Sequence, residues 1–127
     1  MNDIKVKQSL KNLGNALKRL EEALEEKHPN PLYIDGTIQR FEFVMELFWK
    51  TLKRLLESEG VIANTPKDVL KKAYAVNWIQ DEAAWLKMLQ DCNETSHIYD
   101  EAKAKEIYSH IKKHFSLLRT TYKALCK

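Results

Sequence analysis

The stretch from Ile34 to Leu56, IDGTIQRFEFVMELFWKTLKRLL, is the most regular amphipathic pattern of the chain. Apolar side chains recur there at alternating steps of four and three, which lines one side of an α-helix: Ile34, Ile38, Phe41, Met45, Phe48, Leu52 and Leu55. On a helical wheel with about 100° per residue, Phe43 and Leu47 fall on a separate sector. The pattern predicts a central helix that packs into its own bundle and meets a second subunit through Phe43 and Leu47. The alternative is a helix buried deeply within one monomer.

Two other long segments repeat this spacing of apolar residues. The first runs from about Asp3 to Lys27, where the prolines of HPNP at 28–31 prevent further helical hydrogen bonding. The last runs from about Asp100 to Ala124. Asp35 and Thr37 are candidate caps for the central helix, which could therefore begin a few residues after Ile34.

Shorter helices are predicted between the central and last segments. Thr65 followed by proline is a typical helix start, which predicts a helix from about Pro66 to Ala75. Asp81 can cap a further piece that ends at Gln90, and the polar sequence DCNETSHIYDE after it is interpreted as a loop. We predict an all-α fold, an antiparallel up-and-down four-helix bundle with a broken third arm, or five helices counting the short pieces. Residues 1–127 are expected to form one domain.

Composition and charge narrow the class of protein. Two cysteines without CxxC spacing are too few for a disulfide framework and indicate a reducing cytoplasm. We expect no leader, because the N-terminus has no continuous apolar core, and no membrane span, which needs roughly 18 apolar residues. The net charge of +3 is too small to imply nucleic acid by itself. Nucleotide-binding glycine loops and catalytic zinc motifs are missing from the sequence, so we expect neither a cofactor nor a metal.

The polar run from Cys92 to Tyr99 is the main candidate for chemistry, because it precedes the start of the last helix. A helix N-terminus presents free N–H groups that favour phosphate, and His97 could transfer protons near neutral pH. The alternative is that Asn93, Thr95 and Asp100 are capping and turn residues and His97 packs between helices.

Other polar side chains lie beside the apolar sides, or seams, of the predicted helices. Glu42 could bond His97 or Asn93 across the bundle, or form a buried salt bridge with Arg40, Lys50 or a lysine of another helix. His110 and His114 have the i,i+4 spacing of a metal pair, but no third ligand is evident. The lysines of the last helix are interpreted mainly as a solvated face, with a weak RNA-guiding role left open: Lys103, Lys105, Lys112, Lys113 and Lys123.

Two motifs give the chain a family resemblance. The sequences RFEF and ELFWK at 40–50, and NETSHIYDE at 93–101, resemble those of nucleotidyltransferase substrate-binding proteins of the HEPN superfamily. The resemblance spans nearly the whole chain. It implies a helical bundle that works with a minimal nucleotidyltransferase, usually encoded beside it, and related pairs behave as toxin and antitoxin.

In toxin members the resemblance implies a metal-independent ribonuclease whose motif is arginine, four residues, histidine, one residue and tyrosine. Here His97 and Tyr99 match the histidine and tyrosine, but Cys92 stands at the arginine position. A thiol cannot replace the planar, charged guanidinium that clamps phosphate. Loss of one such stabilising group costs about 100-fold or more in rate, so we expect weak or absent ribonuclease activity. Cys92 as a nucleophile is the poorer alternative.

The functional prediction is a non-catalytic partner subunit that binds nucleotide or RNA near His97 and forms a homodimer. The expected binding residues are Glu42, Asn93, Thr95, Ser96 and His97. By similarity, Tyr99 is the candidate acceptor of AMP from the nucleotidyltransferase, although a structural tyrosine is an equal alternative. One competing prediction is a ribonuclease toxin with His97 as its catalytic residue and with Arg40 or Lys87 as the cation that clamps phosphate. The other is a helical adaptor unrelated to nucleotides.

Overall fold

The computed structural model describes residues 3–95 and 100–127, and this part of the chain contains five α-helices and no strand. The helices are α1 (Asp3–Leu24), α2 (Pro31–Ser58), α3 (Pro66–Ala75), α4 (Glu82–Thr95) and α5 (Glu101–Leu125). The predicted all-α bundle with a broken third arm is confirmed, with α3 and α4 as the two pieces of that arm.

Polar contacts join neighbouring helices of the bundle. Arg40 of α2 donates to the backbone oxygen of Arg19 across the α1–α2 hairpin, at 2.7 Å. The Lys103 ammonium of α5 lies 3.0 Å from the Glu94 carboxylate of α4. The described apolar seams of all five helices meet in one core, whose largest fully buried side chains are Trp85, Phe41, Phe48, Leu13, Leu20, Leu52, Leu56, Leu70, Ile79, Met88, Ile107 and Ile111.

An aromatic pair joins α2 to α4 near the middle of the core. The rings of Phe48 and Trp85 meet edge to face, with centroids 4.9 Å apart and planes at 69°. Both side chains are fully buried. Such pairs contribute about 0.5–1.5 kcal/mol beyond the area they bury, so this contact fixes the spacing of the two helices.

Capping residues determine where several of the helices begin. The side chain of Asn30 accepts a hydrogen bond from the Tyr33 amide, and Pro31 occupies the first turn of α2. The prediction that α2 begins near Asp35 or Thr37 was therefore wrong: Asn30 caps the helix, and the Thr37 hydroxyl donates to the Tyr33 carbonyl inside it. The predicted caps Thr65 and Asp81 are confirmed, since their side chains accept the amides of Asp68 and Ala84.

Three predicted boundaries or burials differ from the structure. Helix α1 ends at Leu24 rather than Lys27, consistent with the bias that Pro29 imposes on the residues before it. Leu56 is fully buried in place of Leu55, because a straight helix with 3.6 residues per turn drifts from a 3.5-residue repeat. Helix α4 continues five residues past Gln90, so the start of the predicted loop is helical.

Helices α1 and α5 touch at a glycine. A methyl group at Gly14 would overlap the Tyr122 hydroxyl, with the ring carbon Cζ 2.9 Å away. The missing side chain therefore lets the tyrosine of α5 lie directly on the α1 backbone.

Within the described residues, no helix is long and apolar enough to cross a membrane.

Candidate functional site

The last turns of α4 carry the candidate site, and they face α2 and α5. Asp91 is 1% exposed, Cys92 is half-buried against the core, and Asn93 is exposed. The sequence interpretation placed all three in a loop. The helix extends through them because Asp91 and Cys92 continue the buried side of α4 that includes Met88.

Asp91 forms a buried polar contact that was missed in the sequence. Nδ1–H of His110 donates to Asp91 Oδ2 at 3.1 Å, which joins α4 to α5. The Lys87 ammonium lies 3.7 Å from the other carboxylate oxygen, longer than a hydrogen bond. A buried carboxylate is costly unless it is paired, so His110 is the main partner of this charge among the described residues. A helical continuation of the seam from Trp85 beyond Gln90 was the signal that could have revealed it.

Cys92 occupies an apolar and negatively charged environment. Burial raises the pKa of its thiol to about 12, and the charges of Glu42 and Asp91 add to the shift. The thiol is therefore protonated at neutral pH and is a weak nucleophile. The carboxylates of Glu42 and Asp91 disfavour a phosphate beside this thiol.

The structure brings some of the predicted site residues together. Glu42 is half-buried on α2 and lies close enough to Cys92 for its charge to act on the thiol. Two of the alternative ion-pair partners of Glu42 bond elsewhere: Arg40 to a backbone oxygen of α1, and Lys50 to Glu46 at 2.9 Å. The side chain of Thr95 and the whole of Ser96, His97 and Tyr99 lie outside the described residues.

A pocket of about 250 Å³ lies where α2 and α5 begin, beside that undescribed segment. Its lining includes the carboxylates of Asp35, Asp100 and Glu101 and one cation, Lys105. Asp100 caps α5 by accepting the Ala102 amide at 2.9 Å. The Asp100 carboxylate thus occupies one of the N–H groups that we expected to attract phosphate, and the described lining of this pocket is acidic.

The two histidines of α5 have different surroundings. His110 bonds Asp91, whereas Nδ1 of half-buried His114 is enclosed with no hydrogen-bond partner among the described residues. Burial lowers the pKa of His114, and the nearby Lys113 charge lowers it further. No group of three His, Cys, Asp or Glu side chains in residues 3–95 and 100–127 is arranged to hold a metal ion. His114 borders a groove of about 790 Å³ between residues 77–84 and α5.

The outer face of α2 exposes large apolar side chains. Phe43 is 62% exposed and Leu32 is 81% exposed, and about 20° separates them on the helical wheel. Gly36 lies between them, and nothing in the described structure is within 4 Å of a methyl group placed there. Leu47, the other predicted interface residue, is half-buried at the edge of the core.

The sequence matches a known protein family and a relative among the curated proteins. The sequence pattern of the family described as "nucleotidyltransferase substrate binding protein like" matches residues 8–127. The probable ribonuclease HepT of Haemophilus influenzae is 39% identical over 85 residues, which are 61% of this chain and 57% of that protein. The match therefore spans less than two thirds of that relative's length.

Two solved structures share the fold. A protein of Thermus thermophilus is 32% identical, with a TM-score of 0.84 over 91% of this chain and 99% of that one. A second, from Haemophilus influenzae, is described as having the fold of a substrate binding domain of a nucleotidyltransferase. It is 28% identical, with a TM-score of 0.83 over 93% of this chain and 99% of that one. Family pattern and fold agree along nearly the whole chain, which belongs to the nucleotidyltransferase substrate-binding-like family.

Proposed function

We propose that this protein is the non-catalytic partner subunit of a two-component minimal nucleotidyltransferase. Its role is to bind a nucleotide or RNA near His97 and to dock a nucleotidyltransferase encoded beside it. Glu42, Asn93, Thr95, Ser96 and His97 form the proposed binding set, and Tyr99 is the proposed acceptor of AMP. Residues 1–127 act as one domain in this proposal.

The observation that carries the non-catalytic assignment is the environment of Cys92. By resemblance, ribonuclease relatives have an arginine here to stabilise the charge that develops on a cleaved phosphodiester. This chain has a protonated thiol beside the carboxylates of Glu42 and Asp91. Carboxylates destabilise additional negative charge in a partly buried site, so the position opposes the transition state of phosphodiester cleavage.

The test compares binding and cleavage in the same preparation. Titration calorimetry with the neighbouring nucleotidyltransferase should show a stable complex, while wild-type protein alone should leave a labelled RNA intact. Tight binding of the transferase without cleavage supports the subunit. RNA cleavage that is lost in His97→Ala contradicts it.

Modification of Tyr99 is measured separately. After incubation with the transferase and ATP, mass spectrometry should show an added AMP on the peptide that contains Tyr99. Tyr99→Phe is the matched control, since it removes only the hydroxyl that accepts the group. An adduct that persists in Tyr99→Phe assigns the modification to another residue.

A second candidate function is ribonuclease activity, and the relative named probable ribonuclease HepT favours it. If the cysteine is what disables the motif, Cys92→Arg should create or raise RNA cleavage by about 100-fold. The carboxylates of Glu42 and Asp91 would pair with the new guanidinium. Cys92→Lys is the control, because it adds the charge without the planar fork.

We propose that a homodimer forms through the outer face of α2. Glycine in an exposed helix costs about 1 kcal/mol relative to alanine, and nothing within the described part of one subunit accounts for Gly36. Close approach of a second α2 would account for it, with Leu32 and Phe43 covered on either side. This pairing would also place two copies of the His97 segment at one cleft.

Analytical ultracentrifugation tests that interface. Phe43→Asp should yield monomers, because a charge would be buried in the contact. Ile62→Asp is the control, since Ile62 is 70% exposed but lies in the connection between α2 and α3. Equal dimer fractions for wild type and Phe43→Asp would exclude this face.

A further inference from the structure

Positive charge is concentrated in two segments of the chain. Residues 4–20 contain five of the 21 Lys and Arg residues, and residues 107–127 contain another five. Neither segment contains any of the 18 acidic residues. The rest of the chain therefore has 11 basic and 18 acidic residues, so the small net charge hides a strong separation of charge.

The fold places these two segments side by side. The first is most of α1 and the second is most of α5, and the helices touch where Tyr122 lies on Gly14. Arg119 of α5 also reaches Glu21 of α1, with Nη1 2.6 Å from the carboxylate oxygen. The contact thus joins two basic segments that are distant in sequence into one surface.

Three lysines of α1 line its side of that contact. Lys7, Lys11 and Lys18 lie about 20–60° from Gly14 on the helical wheel, on its solvent side. All three are exposed. They extend over roughly 16 Å along the axis of α1.

Two lysines of α5 form the matching line. Lys112 and Lys123 lie about 20–40° from Arg119 on the wheel, also toward solvent, and they too are roughly 16 Å apart along the axis. Both are exposed. We define the basic face as Lys7, Lys11, Lys18, Lys112 and Lys123.

Ion pairing distinguishes the basic face from two other lysines of α5. Lys103 lies 3.0 Å from Glu94, and Lys105 lies 3.6 Å from Glu101. Within the described part of the chain, none of the five lysines of the basic face is within 4.0 Å of a carboxylate. Their charges are available to an external anion.

We propose that the basic face binds the sugar-phosphate backbone of RNA. Lysines in two lines along neighbouring helices can contact successive phosphates, and release of counterions from the RNA provides the driving force. This surface lies along α1 and α5, away from the acidic pocket at the start of α5. The proposal deepens the proposed function, because it names RNA rather than a free nucleotide as the ligand and gives it a second contact area.

The composition of the face favours RNA over a protein or a membrane. Protein interfaces have an apolar core, whereas Ile4 is the only large exposed apolar residue that the described parts of α1 and α5 contain. Membrane-surface helices insert Trp, Phe or Leu side chains beside their lysines, and the two lines of lysine carry none that is exposed. A polar, cationic surface with few apolar groups is typical of phosphate contacts.

Fluorescence anisotropy with a labelled 2′-O-methyl RNA of about 20 nucleotides tests the proposal, since such an RNA resists cleavage and separates binding from any ribonuclease activity. The variant Lys11→Gln, Lys18→Gln, Lys123→Gln removes three contacts. Each contact contributes about 0.7 to the slope of log K against log salt. We expect the slope to fall by about 2, and the affinity to fall about 100-fold at 0.1 M salt.

A matched triple variant controls for overall charge. Lys27→Gln, Lys67→Gln, Lys71→Gln also removes three exposed positive charges, but from outside the basic face. It should bind RNA within twofold of the wild type. Equal losses in both triple variants, no loss in either, or no RNA binding by the wild type would each overturn the proposal.

Two further measurements separate the other ligand classes and the proposed function. Polyglutamate of the same charge should compete at least tenfold less well than RNA, and equal competition would assign the face to acidic proteins instead. Titration of the nucleotidyltransferase into the Lys11, Lys18, Lys123 variant should give wild-type affinity. RNA binding at the wild-type level without transferase binding would contradict the proposed function, but it would not contradict the proposal that the basic face binds RNA.

Discussion

The buried pair of Asp91 and His110 makes a strong prediction about stability. Replacing His110 by alanine removes the hydrogen bond to a carboxylate that is 1% exposed. Among the described residues, one lysine lies within 4.0 Å of it: the Lys87 ammonium is 3.7 Å away, and its side chain is 42% exposed. The variant would therefore keep a buried charge with one weak, solvated partner.

The magnitude follows from that burial. Removing the hydrogen-bond partner of a buried charged group costs about 3 kcal/mol. For 127 residues the unfolding entropy is roughly 0.27 kcal/mol/K, so a loss of 3 kcal/mol lowers Tm by roughly 11 °C. Urea unfolding at pH 7, followed by circular dichroism, measures the free energy directly.

Two control variants decide whether the buried charge is the cause. His28→Ala removes an exposed histidine from the α1–α2 connection and should change stability by less than about 0.5 kcal/mol. Adding Asp91→Asn to His110→Ala should recover at least about 1 kcal/mol, because the uncompensated charge is then gone. A His110→Ala variant as stable as His28→Ala, or a double variant less stable than His110→Ala, would refute this reasoning.

Four further predictions concern single side chains. Gly14→Ala should destabilise the fold by about 1–3 kcal/mol in urea unfolding, because its methyl group overlaps a tyrosine of α5. Gly36→Ala adds a methyl group that meets nothing in the described subunit, so in the monomeric Phe43→Asp background it should stabilise the fold by up to about 1 kcal/mol. In iodoacetamide labelling at pH 8, exposed Cys126 should react before Cys92, whose pKa of about 12 leaves it almost wholly protonated, and equal rates would contradict the buried thiol. Since burial lowers the pKa of His114, the unfolded chain takes up the proton first as pH falls below about 6.5, and His114→Gln should reduce the loss of urea stability between pH 6.5 and 5.

The sequence predicted the helical elements well because their apolar spacing is regular over many turns. The seam of α2 and the start of α3 at Thr65-Pro66 needed only periodicity and cap chemistry. The end of α4 was predicted wrongly because the polar letters of DCNETSHIYDE are typical of a loop. The apolar spacing from Trp85 onward could have shown that the helix continues, but the partner of Asp91 is His110, 19 residues later, and the local pattern does not identify it.

The candidate site shows the same limit. The residues of the site were assigned from the motif at 92–99 and from the family resemblance. The proximity of Glu42 to Cys92 agrees with the position of Glu42 on the helical wheel. The acidic lining of the pocket beside α5 was not predicted, because it depends on Asp35 of α2 lying next to the start of α5. Lys112 and Lys123 of the basic face were considered for an RNA-guiding role, but the continuation of the face onto α1 was not predicted, because the sequence does not show which helices are neighbours.

The edge-to-face contact of Phe48 and Trp85 has a mechanical consequence for the site. Glu42 and Cys92 lie on the same two helices, roughly 10 Å along each axis from the aromatic pair. A ligand that forced these residues apart would have to change the angle between α2 and α4, and the two helices would rotate about the contact between the rings. Because the fluorescence of an indole depends on the groups packed around it, the fluorescence of Trp85 should change when the angle between α2 and α4 changes.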